Sequence, residues 1–298
     1  MLKRIGCVAL PYHSRGGFDH ADVHHQTGRV FVAHTANGTV EVIDGEQLKH
    51  AATLDGCPEA SGVICVQQEN VVFATARGTG RILMIDANTL KITQEFVAGS
   101  RPNGLAWNTR HGHLLVADVQ DNNVRLVNPR TGRITSQLRL PGRPRWCAYD
   151  SDSDRFLVNI MEPAGVSFLK PDASAQIRFL STSIAGPHGL DLDRAGRAFV
   201  ACDGGAVVVL DLKTERELKA ISIAGAPDVI WLNTRHERLY CAIGKPGVVE
   251  VIDAKSMTSV ERIQTEEGSH TLTFDQLRQR LYIFLPRSCR VVVYSEEF

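Results

Sequence analysis

The chain has 298 residues, 33 basic and 33 acidic side chains, and a 43% hydrophobic share that is ample for a packed core in one large domain or two ordinary ones. The balanced charge, with no Lys/Arg block, excludes an electrostatically driven nucleic-acid or anionic-membrane surface. Seven cysteines, an odd number without a CxxC pair, exclude a disulfide framework and zinc-finger spacing.

The opening MLKRIGCVALPYH has a charged start and one Cys, like a signal or lipoprotein peptide. Its apolar run, Ile5 to Leu10, is shorter than the ~7–15 residues of a signal core, and no small-residue cleavage site follows. No stretch approaches the ~20 apolar residues of a membrane span. Cys65, Cys147, Cys202 and Cys241 lie in apolar strand-like runs, where Cys behaves as a small hydrophobe. Buried reduced thiols in a cytoplasmic protein are the expectation.

The pattern is clearest from Arg101 to Gly142, which reads as four short strands. They are Asn103 to Trp107, His113 to Asp118, Asn123 to Asn128 and Arg133 to Leu140, parted by turn-forming clusters such as Gln120-Asp121-Asn122. The unit recurs along the chain. Its third strand ends at Asp44, Asp86, Asn128, Lys170, Asp211, Asp253 and Ser295, and its first strand begins at His20, Ser61, Asn103, Arg145, His188, Asp228 and His270. Both landmarks keep a period of about 42 residues, the signature of a repeat architecture. Four-stranded units of that length predict an all-β, seven-bladed propeller over residues 1–298, a single domain. The seventh unit stops after three strands, and Leu2 to Leu10 resembles the missing fourth. The N-terminal segment is therefore expected to close the ring as the outer strand of the last blade.

The repeated text resembles the YVTN-type propeller family. Arg29 to His34 (RVFVAH) followed by Gly38 to Asp44 (GTVEVID) carries the likeness, as does Arg238 to Ile243 (RLYCAI) followed by Gly247 to Asp253 (GVVEVID). The resemblance spans all seven units and implies the same fold; that family is functionally broad, so activity has to be argued from a site. A weaker resemblance links Gly186 to Leu190 (GPHGL) to the Pro-His-Gly-Ile segments of streptogramin B lyases, also seven-bladed propellers. In that family such histidines, with a glutamate ending a neighbouring second strand, carry a magnesium-assisted ring opening. His188 and His270 match the histidine positions, but Cys202 and Leu285 stand where the glutamate would be, so the activity is not transferred. Gluconolactonase-type propellers are a third comparison; the glutamate ligand they carry is not found at His20.

In a propeller the first strand of each blade lines the channel, and its start lies beside the end of the antiparallel second strand. Two rings at one mouth are predicted. The leading ring is His20, Ser61, Asn103, Arg145, His188, Asp228 and His270, all polar. The second is His34, Thr75, Asp118, Asn159, Cys202, Ile243 and Leu285. Blades five, six, seven and one are consecutive, so His188, Asp228, His270 and His20 form an arc suited to one divalent ion such as zinc, magnesium or manganese. Opposite, Ser61, Asn103 and Arg145, with Arg143 and Trp146 nearby, would bind substrate, the guanidinium gripping a carboxylate. An unligated His34 would accept a proton, and Asp118 is a candidate acid. The alternative is a hydrated polar mouth without metal, whose side chains satisfy loop backbone groups.

Elsewhere the bland readings prevail. His24 and His25 are expected in strand or turn, and Asp44, Asp86, Asp211 and Asp253 as turn formers accepting backbone hydrogen bonds. Cys202, the one thiol placed at the mouth, has no positioned base. Gly78-Thr79-Gly80 is a hairpin turn rather than a phosphate loop, and no Ser nucleophile elbow is present. The leading expectation is a propeller of unassigned role that binds a small molecule or a protein partner at the mouth. A metal-dependent lyase or lactonase acting on a small anionic or cyclic ester substrate is second. A quinone-dependent dehydrogenase is third, lacking a cofactor motif or a CxxCH.

Overall fold

The computed structural model describes residues 2–296. Every regular element in it is a strand, arranged as seven four-stranded antiparallel sheets set around a ring. The inner strands are Ala21–His24, Ala60–Val66, Pro102–Asn108, Pro144–Asp150, Pro187–Leu192, Pro227–Asn233 and Thr271–Asp275. Each is followed in order by the second, third and outer strands of its blade. The seventh blade takes its outer strand from the N-terminus: Leu2–Ala9 pairs antiparallel with Arg290–Glu296, Cys7 opposite Val292. The fold and its closure are those expected from the repeat.

Burial explains the arrangement. Second and third strands such as Val71–Ala76 and Thr39–Asp44 are buried almost end to end, because both their faces meet neighbouring blades. Outer strands such as Lys49–Leu54 alternate exposed and half-buried, one face on the core and one in water. The core is correspondingly divided into seven apolar clusters, one per blade interface. Phe31, Val40 and Val42 of blade one meet Val63, Leu83 and Ile85 of blade two in one of them. The cluster between blades seven and one packs Tyr282, Phe284 and Val291 on Val23, Val30 and Ile43, and Val8 of the closing strand belongs to it.

Polar groups lock neighbouring blades together. In three blades the arginine that opens the second strand reaches a backbone carbonyl in the next blade: Arg29 Nη1 to Ala87 O at 2.7 Å, Arg155 Nη2 to Leu212 O at 2.6 Å, and Arg197 Nη1 to Ala254 O at 2.7 Å. Arg280 does the same across the closure, to Gly45 O. The turn acids behave as expected. Asp44 Oδ1 accepts from Glu46 N and Gln47 N, Asp86 from Asn88 and Thr89, Asp211 from Lys213 and Thr214, and Asp253 from Ser256. All seven cysteines are free thiols. No helix among the described residues is long and apolar enough to cross a membrane.

Deleting residues 1–9 removes the closing strand, leaving the Arg290–Glu296 edge unpaired and Tyr282, Phe284 and Val291 partly wet. Losing several kcal/mol of apolar burial should lower the unfolding midpoint by more than about 10 °C. Thermal denaturation followed by circular dichroism would measure it. An unchanged midpoint would mean the ring is held closed by other contacts.

Candidate functional site

The leading residues converge because of two backbone devices. In five blades the inner and second strands lose register at the start, between Ala60 and Val63, Pro102 and Leu105, Pro144 and Cys147, Pro187 and Leu190, and Pro227 and Ile230. Ser61, Asn103, Arg145, His188 and Asp228 sit within these bulges, which re-aim their side chains. The second device is glycine. A Cβ on Gly62 would overlap the carbonyl of Asn103, one on Gly104 that of Arg145, and one on Gly189 that of Asp228. Each of these glycines lets the next blade's leading residue press inward.

The resulting cavity at the mouth, about 100 Å³, is lined by five residues of the leading ring: His20, Asn103, Arg145, His188 and Asp228. Asp19, Arg77, Val119 and Arg143 complete the lining. On one side Asp228 stands between two imidazoles, Oδ1 at 2.9 Å from His188 Nε2 and Oδ2 at 2.8 Å from His270 Nδ1. The distances are those of ion pairs, but Asp228 Oδ1 and His270 Nδ1 find no well-angled hydrogen bond. His188 Nδ1 lies 3.1 Å from Asp203 Oδ1. Burial opposes charge on His188, yet Asp228 and Asp203 outweigh it and raise its pKa to about 9. Burial likewise works to raise Asp228, and the two imidazoles hold it well below the usual carboxylate range. His270 is raised in turn: its burial penalty is outweighed by Asp228.

The opposite side is rich in guanidinium groups. Arg145 Nη1 is 3.0 Å from His188 Nε2, a contact between two cations whenever the ring is charged, and Arg145 Nη2 is 3.7 Å from Asp203 Oδ2. Arg77 reaches Asn103 Oδ1 at 3.3 Å and Ser61 Oγ at 3.4 Å, and Arg101 pairs with Glu59 at 2.6 Å. Ser61 Oγ donates to Asp19 Oδ2 at 2.8 Å. Arg143 is exposed at the rim and has no ion-pair partner within 4.0 Å among the described residues; partial desolvation, with the charges of Arg145, Arg77 and Arg101 nearby, lowers its pKa.

His20 bridges the two sides. Its Nδ1 lies 2.6 Å from Asp19 Oδ1, and its ring stacks on Trp146 at 3.7 Å between centroids, 8° from parallel. The four residues expected to hold a divalent ion are thus distributed between two carboxylates, His188 and His270 on Asp228 and His20 on Asp19. Among the described residues no three His, Cys, Asp or Glu side chains are grouped as a metal would need.

The second predicted ring differs from the observed one. Asp118 pairs with Pro102, but its counterparts in blades two and four are Ala76 and Ile160, one position beyond Thr75 and Asn159. These strand ends point between blades rather than into the mouth. His34 is fully buried, with Nε2 2.6 Å from His13 Nδ1 and Nδ1 3.1 Å from Glu41 Oε1. Burial works to raise Glu41, but hydrogen bonds from His34, Thr39, Thr53 and His50 hold it at about 2. Asp118 is also fully buried, its Oδ2 accepting from Arg125 Nη1 at 2.9 Å and Arg101 N at 3.0 Å, its Oδ1 from the amides of Gln120 and Asp121. Neither His34 nor Asp118 lines the cavity. Cys202 is buried, and burial pushes its thiol up to about 12. Side chains alternate along a strand, so the next residue is the one that reaches the mouth. Arg77, Val119 and Asp203 stand there. The carboxylate that the sequence lacks at Cys202 is supplied at Asp203, one position later.

The raised pKa of His188 has a consequence for stability. The charged ring is favoured by the fold, so its contribution is complete below about pH 6.5 and is lost as pH rises through about 9. His188→Gln should therefore flatten the decline of urea-unfolding stability between pH 6.5 and 9 that wild type shows. Parallel curves for the two proteins across that window would contradict the assignment. Comparison with protein-family models and with curated proteins finds no match, which leaves the chemistry of this mouth as the ground for a functional reading.

Proposed function

We propose that the protein binds a small anionic molecule at the channel mouth, seated on Arg143 and Arg145 with Arg77 and Arg101 behind them. The observation that carries this reading is Arg143: an exposed guanidinium at the rim of the mouth, without an ion-pair partner among the described residues, its charge opposed by those of Arg145, Arg77 and Arg101. Such a cluster is relieved when an oxyanion enters, and the planar fork of Arg matches carboxylate and phosphate oxygens two at a time. The 3.0 Å approach of Arg145 to His188 supports the same conclusion, since an anion bound beside both groups offsets their repulsion when the ring is charged. A cavity of about 100 Å³ suits the charged headgroup, with the rest of the molecule at the disc surface. A small-molecule role is also compatible with the breadth of the YVTN-type family that the repeats resemble.

A second reading is a lyase or lactone hydrolase that uses the same seat. His188, held between Asp203 and Asp228 and beside Arg145, is the observation that favours it. A proton stored there is positioned for transfer to a leaving oxygen. No step is assigned to a metal, because His20, His188 and His270 are divided between two carboxylates.

Isothermal titration with inorganic phosphate, oxalate and citrate tests the first reading. At least one should bind wild type saturably, and Arg143→Ala/Arg145→Ala should weaken it about tenfold or more. No binding of any of the three up to about 50 mM would sink the anion seat. Turnover of cyclic esters that is lost in His188→Gln would favour the enzyme. A signal that appears only with added zinc, magnesium or manganese would restore the metal.

A further inference from the structure

The inner strands enclose a second cavity, of about 200 Å³, that is separate from the anion seat and opposite to it in character. The chain has three tryptophans, and Trp107, Trp146 and Trp231 all line it. Two carboxyl groups, Asp22 and Asp191, line it as well, and no Lys or Arg does. Each carboxylate ties its own blade to the next. Asp22 accepts from Val23 N and Cys65 N, both at 2.7 Å, and Asp191 from Leu192 N at 2.8 Å and Leu232 N at 2.7 Å. These bonds occupy one acceptor position on each oxygen and leave the remaining lone pairs unused.

We propose that this chamber binds an organic ammonium ion, enclosed by Trp107, Trp146 and Trp231 and balanced by the carboxylates of Asp22 and Asp191. Aromatic walls attract a cation through the negative faces of the rings, most strongly for Trp and in a desolvated site. Negative charge with no basic side chain beside it supplies the long-range part of the attraction. The carboxyl groups show the strain of their setting: burial pushes Asp22 up to about 6 and Asp191 to about 7, and at Asp191 the charge of Asp22 adds to the rise. A bound cation reverses that effect, stabilising both as carboxylates. The volume accommodates a trimethylammonium group with a short tail. His20 also lines the chamber; its Nε2 is buried and has no hydrogen-bond partner, so it offers an acceptor for a hydroxyl on that tail.

Choline and its uncharged isostere 3,3-dimethylbutan-1-ol are the probes. Every tryptophan lines the chamber, so intrinsic emission reports occupancy of this cavity. Choline should change the emission saturably, with the isostere at least about tenfold weaker. Asp191→Asn should weaken choline about tenfold and leave the isostere unaffected. Should that variant fail to fold, Trp231→Leu carries the same expectation for choline. Arg143→Ala/Arg145→Ala should not weaken choline, which separates this site from the anion seat. Equal affinity for choline and its isostere, no saturable change up to about 100 mM, or full choline affinity in both Asp191→Asn and Trp231→Leu would overturn the proposal.

Discussion

A four-stranded blade has two faces that are largely apolar, and neither can be left in water. That constraint governs the molecule. Second and third strands buried along their whole length are stable only when a blade stands on each side, so the sheets form a ring and the ring must close. Closure joins the two ends of the chain in one sheet, Leu2–Ala9 beside Arg290–Glu296. The arginines that lead the second strands add a directional contact to each of several interfaces, and Arg280 repeats it across the closure. Non-directional apolar packing fixes how closely blades approach, while these hydrogen bonds help fix their relative height.

The same pressure between blades builds the mouth. Gly62, Gly104 and Gly189 leave space that the next blade's carbonyl occupies, and the bulges beside them turn Asn103, Arg145 and Asp228 toward the axis. Seven polar residues brought together in this way must satisfy one another or a ligand. Part of the ring does so internally, through Asp228 with His188 and His270 and through Asp19 with His20 and Ser61. The guanidinium side does not balance as completely. Glu59, Asp19 and Asp203 answer Arg77, Arg101 and Arg145, and among the described residues Arg143 is left over.

Much of this was legible because the repeat is strict. A period of about 42 residues located seven blades, the short last unit identified the N-terminal strand as its partner, and the polar leading positions marked the mouth. The second ring was read less well, for a local reason. The period-2 alternation of a strand makes a shift of one position a change of face, and the polar residues Thr75 and Asn159 stand one residue before the register equivalents Ala76 and Ile160. At Asp118 and Cys202 the following residue, Val119 or Asp203, reaches the mouth instead, and His34 turns into the core against His13 and Glu41. Arg77 and Asp19 stand one position away from the residues that mark the pattern, Arg77 beyond the second-strand end and Asp19 before the leading His20, so the polar landmarks alone do not point to them. How carboxylates divide imidazoles among themselves depends on rotamers, and the order of residues along the chain does not contain that information.

Placing opposite charges at two levels of one channel also has an electrostatic logic. The three guanidiniums that line the mouth would by themselves repel a cation approaching along the axis from that side, and Asp22 and Asp191 would repel an anion from the interior. His20 lies at both cavities, bonded to Asp19 and stacked on Trp146, so it occupies the boundary between the two potentials. A neutral propeller can therefore sustain strongly different local fields, because the rigid ring prevents the arginines and the buried carboxylates from collapsing onto one another. The zero net charge of the chain is the sum of such separated groups rather than a sign that its channel is electrically bland.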